Sequence, residues 1–135
     1  MGDMRLLERV QRRWTRAVAG LEDLSCSERL NGLNLFSFQG RLLRNDLKMV
    51  WKIFNGKCAV DPDQLFVLDN SVTRGHDCKI FLPRTNLEVR RRYFSIRVIH
   101  VWNSLGADTV SSGSLEAFKR LLHRDLGQRL FQYLD

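Results

Sequence analysis

Three consecutive arginines, Arg90, Arg91 and Arg92, lead directly into an almost wholly apolar stretch ending at Leu105. Guanidinium groups are planar, permanently charged forks suited to phosphate oxygens, and an apolar helix after them would hold them at a rigid edge. With Ser95 as N-cap, Phe94, Val98, Val101, Trp102 and Leu105 fall on one side of a helix, and Ile96 and Ile99 widen that surface. Only Arg97, His100 and Ser104 are left as a polar strip, the pattern of a core helix. Tyr93 directly follows the arginines and is the candidate for stacking on a base. The other aromatics near basic residues, such as Phe36, Phe38, Trp51, Phe54 and Phe81, are mostly at helix-core spacing and are explained by packing. A solvated surface run is the competing reading of the three arginines.

Two further cationic arrays come from helical spacing. Arg5, Arg9, Arg12 and Arg16 are four, three and four residues apart, so they form one stripe with Arg13 beside it. Like charges at these spacings repel by a few tenths of a kcal/mol per pair, and a phosphate backbone would offset that cost. Arg41, Arg44, Lys48 and Lys52 form a second stripe. The chain's net charge of +7 is unevenly spread: +5 over residues 1–57, −3 over 58–78, +5 over 79–105 and zero beyond. Two basic segments separated by an acidic one point to a polyanionic partner, which charge alone does not name.

Catalysis has no candidate constellation. There is no G-x-x-x-x-G-K-[ST], G-x-S-x-G or H-E-x-x-H, and His76, His100 and His123 lie on different predicted elements. Cys26, Cys58 and Cys78 are far apart, with no C-x-x-C pair. They read as buried or half-buried thiols in a reducing compartment rather than as zinc ligands. No catalytic residue, metal, cofactor or small-molecule substrate is expected. No stretch approaches the roughly 18 consecutive apolar residues needed to span a bilayer, and the N-terminus lacks the apolar core of a secretory signal, so an intracellular location, nuclear or cytoplasmic, is expected.

The elements that must position these residues are mainly helical. The first helix is predicted over about residues 3–18, with Leu7, Val10, Trp14, Ala17 and Val18 sharing the face opposite the arginines. Ser25 and Glu28 have capping-box spacing for a short helix that stops by Gly32. A longer helix reads from about Ser37 to Asn55 with Gly56 as its stop. Its apolar arc includes Asp46, a carboxylate that requires an arginine or a cluster of backbone N–H groups there. Asp61-Pro62-Asp63 opens a turn or short helix through Phe66, and 69–77 reads as a loop. Residues 78–83 read as a strand ended by Pro83, with 87–93 returning as its hairpin partner. After the core helix, 106–113 is a small-residue connector, and Ser112 or Ser114 caps a last helix facing the core with Leu115, Phe118, Leu122 and Leu126. The expected fold is one mainly α domain over residues 1–135 with a small β-hairpin at about 78–93.

Seven blocks in fixed order extend over nearly the whole chain. They are Leu6-Leu7-Glu8-Arg9-Val10-Gln11-Arg12-Arg13; Leu24-Ser25 with Glu28-Arg29-Leu30; Arg41-Leu42-Leu43-Arg44-Asn45-Asp46-Leu47 with Trp51-Lys52-Ile53; Thr73-Arg74-Gly75-His76; Leu82-Pro83-Arg84; Phe94-Ser95 with Arg97-Val98; and Val101-Trp102-Asn103-Ser104-Leu105 before Ser114-Leu115-Glu116-Ala117-Phe118-Lys119. Together they resemble the C-terminal, thumb-side region of reverse transcriptases from non-LTR retrotransposons of the LINE class. The resemblance implies a region downstream of the polymerase palm that helps hold template RNA and target DNA, with the missing polymerase domain as a further partner. It also implies a 5′-truncated copy or detached module without polymerase activity, because the Tyr/Phe-Ala-Asp-Asp palm motif is not present. The chain departs at Leu105-Gly106, where the family commonly has Leu-Pro, which predicts a looser connector. Three readings follow: backbone binding to RNA or DNA without sequence preference, a structural or protein-interaction remnant, and a basic amphipathic helix for an anionic membrane or calmodulin-like acidic partner.

Overall fold

The computed structural model describes residues 2–70 and 75–131. Among them the regular structure is helical apart from one isolated antiparallel bridge, Leu68 to Ile80. The helices are α1 (Gly2–Arg16), α2 (Cys26–Gly32), α3 (Phe38–Phe54), α4 (Pro62–Leu65), α5 (Glu88–Arg91), α6 (Phe94–Arg97), α7 (Ile99–Ser104), α8 (Ala107–Val110) and α9 (Leu115–Leu126). A 3-10 turn, Gly127–Leu130, follows α9. The chain is mainly α. Thr73 and Arg74 of the Thr73-Arg74-Gly75-His76 block lie outside the described residues.

Short polar side chains start α2, α3, α4 and α9. The Ser25 hydroxyl accepts the Glu28 N–H at 3.3 Å and the Glu28 carboxylate accepts the Ser25 N–H at 2.8 Å, a complete capping box. These bonds hold the Glu28 carboxyl below its ordinary pKa. Ser37 accepts the Gly40 N–H at 3.0 Å, Asp61 accepts that of Asp63 at 3.0 Å, and Ser114 accepts that of Ala117 at 3.2 Å. Gly56, at φ +65°, stops α3 in a conformation open to glycine.

The chain folds as two compact units, one from Met1–Arg44 with Leu126–Asp135 and one from Asn45–Asp125, so α3 contributes its first turns to the one and the rest to the other. In the first unit the start of α3 is tied to the Leu130 carbonyl, which accepts the Ser37 N–H at 2.9 Å. The Phe36 and Phe131 rings meet beside it at 5.4 Å. Gly40 sits directly against the Leu130 backbone, where a Cβ would overlap the carbonyl, so the approach requires glycine.

In this unit α1 departs from the face its sequence predicts. Leu6, Leu7, Val10 and Trp14 are exposed, Trp14 at 60% and Val10 at 67%, while Glu8, Gln11 and Thr15 are buried. The docking line runs between the apolar arc and the arginine stripe, where its polar side chains find backbone and side-chain partners. Gln11 Nε2 donates to the Phe36 carbonyl at 2.9 Å. Thr15 Oγ1 accepts from Nε of the buried Arg29 at 3.4 Å. Glu8 lies against the Gln39 backbone in the first turn of α3, where a helix dipole favours an anion. Burial raises the Glu8 pKa, and the nearby Arg12 guanidinium and the Gln39 hydrogen bond partly counter it.

The second unit is organised around Trp102, fully buried on α7. Its ring stacks on Phe54 at 5.7 Å and meets Phe118 at 6.2 Å; Phe66 stacks on Phe54 and Trp51 on Phe118, both at 5.8 Å. The predicted core helix is two pieces, α6 and α7, joined by a turn at Val98, and its N-cap is Tyr93 rather than Ser95. The burial pattern follows the prediction: Val98, Ile99, Val101, Trp102 and Leu105 are all buried.

The hairpin expected at 78–93 does not form. Ile80 pairs instead with Leu68, through Asp69 N–H to the Lys79 carbonyl at 2.8 Å and Phe81 N–H to the Val67 carbonyl at 2.7 Å. On the opposite edge the Asn103 carboxamide satisfies both backbone groups of Ile80, its Oδ1 accepting at 2.8 Å and its Nδ2 donating at 2.9 Å. Both edges are thus occupied, and Pro83 has no N–H with which to extend the pairing. Residues 88–91 become helix α5 instead.

The 106–113 connector is also more ordered than its composition suggests, because it contains α8. Gly106, at φ −66°, has a backbone a proline would accept, but its N–H donates to the Asp125 carboxylate at 3.0 Å, a bond a proline would lose. Arg124 grips Asp108 with both terminal nitrogens, at 2.8 and 2.9 Å.

Candidate nucleic-acid interface

The sequence places Arg5, Arg9, Arg12, Arg13 and Arg16 on α1, and the structure keeps most of that stripe open. Arg5, Arg9, Arg13 and Arg16 are exposed and form no ion pair among the described residues. Arg12 is half-buried beside Glu8 and is not part of the free surface. Because Glu8 is buried, the outward side of the helix has four arginine charges against the single carboxylate of Asp3.

The second predicted stripe is less available. Arg41 is exposed, with its guanidinium 5.5 Å from the Phe38 ring centre, and Arg44 is half-buried with its guanidinium 5.3 Å from Phe36. These two belong to the first unit. Lys48 and Lys52 belong to the second, both half-buried. Cation–π contact absorbs part of the field of the two arginines, so this array is partly committed to packing.

The Arg90–Arg92 edge sits on the single turn of α5 and all three residues are exposed. Their commitments differ. Arg90 has no partner among the described residues, Arg91 Nε donates to the Thr85 carbonyl at 3.2 Å, and Arg92 pairs with Glu88 at 2.8 Å. An exposed pair of this kind is worth about 0–1 kcal/mol and yields readily to a phosphate. Tyr93 is 57% exposed.

The anchor that holds this edge was only half legible. Asp46, on the apolar arc of α3, receives two hydrogen bonds from Arg97, at 2.8 and 3.0 Å, and these raise the Arg97 pKa. Arg97 Nη1 also donates to the Arg92 carbonyl at 3.0 Å, so one guanidinium joins the carboxylate to the arginine edge. The requirement for a partner at Asp46 follows from its helical position; that the partner is Arg97 does not. His76, which the sequence leaves without a role, is buried and structural. Its Nδ1 accepts the Cys78 N–H at 3.2 Å, so Nε2 carries the proton and donates to the Trp102 carbonyl at 2.9 Å. Trp102 Nε1 donates to the Cys78 carbonyl at 3.0 Å, closing the loop.

Cys26 and Cys58 are half-buried as expected, whereas Cys78 is exposed because its backbone, not its thiol, is used. Among the described residues no group of His, Cys, Asp and Glu is arranged to hold a metal. No helix among the described residues is long and apolar enough to cross a membrane. The chain matches no family model, no curated protein and no solved structure, so the reading of its interface rests on its own residues.

Proposed function

We propose that this chain binds the backbone of RNA or DNA largely without sequence preference, as a catalytically inactive thumb-side module of a non-LTR retrotransposon reverse transcriptase. The observation that carries the reading is the α1 stripe: four exposed arginines on one helix that form no ion pair among the described residues, with the Glu8 carboxylate buried and only Asp3 beside them. Release of counterions from phosphates then supplies the affinity. The Arg90–Arg92 edge and Tyr93 add a second contact region, and the order of the sequence blocks supports the family assignment. Four phosphate contacts from α1 predict a log–log salt slope of roughly −3 to −4, at about −0.7 per contact for single strands and −0.9 for duplex. Titration of RNA and duplex DNA at several salt concentrations measures it, and a flat response at measurable affinity refutes the mechanism. Changing Arg9, Arg13 and Arg16 to Gln should weaken both ligands and make the slope shallower by about one unit per lost duplex contact.

A second reading is favoured by the exposed Leu6, Leu7, Val10 and Trp14. Their spacing is that of anchors on a helix that enters a partner's groove, as a protein-interaction remnant would require. Replacing Leu7 and Val10 by Gln beside the arginine variant separates the two readings: under the first only the arginine variant loses nucleic-acid affinity, whereas under the second the wild-type chain has none to lose.

A further inference from the structure

A cavity of about 480 Å³ opens in the second unit between the 82–87 loop and helices α5 to α7. That volume lies in the range of small-molecule sites, roughly 300–1,000 Å³. Its wall has two chemical halves. Leu82, Pro83 and Ile96 are apolar, whereas Arg84, Arg91, Arg97 and His100 are basic or hydrogen-bonding, and no Asp or Glu lines it.

Part of the basic half, Arg91 and Arg97, is held in place before any ligand arrives. The Thr85 hydroxyl accepts the Leu87 N–H at 3.3 Å and the Thr85 carbonyl accepts Arg91 Nε at 3.2 Å, so the loop is stapled to α5. Arg91 is thereby oriented with no described bond on its terminal nitrogens. Arg84 has no partner among the described residues. Arg97 is neutralised by Asp46 and acts as a fixed wall rather than a free charge. Two uncompensated guanidiniums beside an apolar surface suit a ligand with an anionic end and a flat, weakly polar body. Guanidinium forks match phosphate oxygens in paired hydrogen bonds.

We propose that this cavity binds a nucleoside monophosphate unit, with its phosphate on Arg84 and Arg91 and its base and sugar against Leu82, Pro83 and Ile96. The proposal deepens the nucleic-acid reading and rests on it for one expectation, that the nucleotide is the phosphorylated end of a strand. A free mononucleotide presents the same chemistry, so the test separates the two sources.

The full chain is dialysed against adenosine monophosphate, adenosine and inorganic phosphate, and titrated with a short oligoadenylate carrying or lacking a 5′-phosphate. Adenosine monophosphate should bind at least about tenfold tighter than either fragment, because each lacks one half of the match. Arg84→Gln and Arg91→Gln should each weaken it by about tenfold, the loss of one charge-assisted contact. Arg84 has no structural bond among the described residues, so its variant reports on binding even if Arg91→Gln disturbs the loop. Matching thermal melts certify the fold. Absence of mononucleotide binding at millimolar concentration, binding no tighter than that of inorganic phosphate, or affinity unchanged in Arg84→Gln overturns the proposal. A strand that binds tighter with its 5′-phosphate identifies the strand end as the source; mononucleotide binding without that preference identifies the free nucleotide. The Arg9, Arg13 and Arg16 variant should retain mononucleotide binding. If oligonucleotide binding is absent in the wild-type chain while the mononucleotide still depends on Arg84, the cavity stands and the α1 reading falls.

Discussion

Asn103→Ala tests whether one side chain stands in for a missing strand. Ile80 is 1% exposed, and both of its backbone groups are bonded to the Asn103 carboxamide, at 2.8 and 2.9 Å. Leaving a buried backbone donor or acceptor unsatisfied costs about 1–3 kcal/mol each. Asn103 is only half-buried, so water partly reaches the vacated space and the two costs fall toward the lower end. A total of roughly 2–3 kcal/mol follows, a large share of the roughly 5–15 kcal/mol by which such domains are stable. Urea unfolding followed by far-ultraviolet circular dichroism measures it, and a melting temperature lower by roughly 6–12 °C should accompany it. Asn103→Asp keeps the acceptor for the Ile80 N–H but turns a donor into a charge facing the Ile80 carbonyl, so it should be no more stable than the alanine variant. A change below about 0.5 kcal/mol for Asn103→Ala would refute the reasoning, because it would mean that Ile80 finds equivalent partners elsewhere.

Gly40→Ala places a methyl group against the Leu130 backbone, and overpacking against an immobile group should cost about 1–3 kcal/mol, read as a lower urea midpoint. Partial burial raises the Asp125 pKa, but bonds from Thr109, the Gly106 N–H and Arg124 outweigh it and leave the carboxyl below its ordinary value; bonds from Arg124 lower that of Asp108 as well. Their stabilisation is therefore complete above about pH 4 and lost as the pH falls through the lowered values, so Asp125→Asn should flatten the acid limb of a melting-temperature profile. Trp14 is 60% exposed whereas Trp51 and Trp102 are buried, so acrylamide should quench one of the three tryptophans readily and Trp14→Phe should remove that component.

Helices α2, α3, α4 and α9 were legible because their punctuation is local. Ser25 with Glu28, Asp61 before Pro62, Ser114 and Gly56 each act within four residues of themselves, and each stands where the spacing put it. The hairpin was not, because what replaced it is a carboxamide 23 residues away on α7, and an asparagine in a helix gives no sign that it will bond a distant backbone. The wrong face was assigned to α1 for a related reason: hydrophobic periodicity weighs area, whereas Gln11 and Thr15 are held by particular acceptors and donors that only the fold supplies. Charge showed the arginine stripes but not which members are spent on Phe36, Phe38, Glu88 or Asp46. The cavity at 82–100 has no sequence signature, since its walls come from a loop and short helices with no common period.

The inverted docking of α1 also determines how that helix leaves the protein. A helix attached by its apolar face carries a large heat-capacity and denaturant signature when it detaches, because detachment wets new hydrocarbon. Here Leu6, Leu7, Val10 and Trp14 are already about half exposed or more, so detachment wets less new hydrocarbon while it exchanges the Gln11, Thr15 and Glu8 contacts for water. Amide hydrogens of α1 should therefore exchange through an opening whose free energy hardly changes with low concentrations of urea, while those around Trp102 exchange through openings that urea strongly promotes. The helix that carries the arginine stripe is thus one whose release costs polar contacts more than newly wetted hydrocarbon.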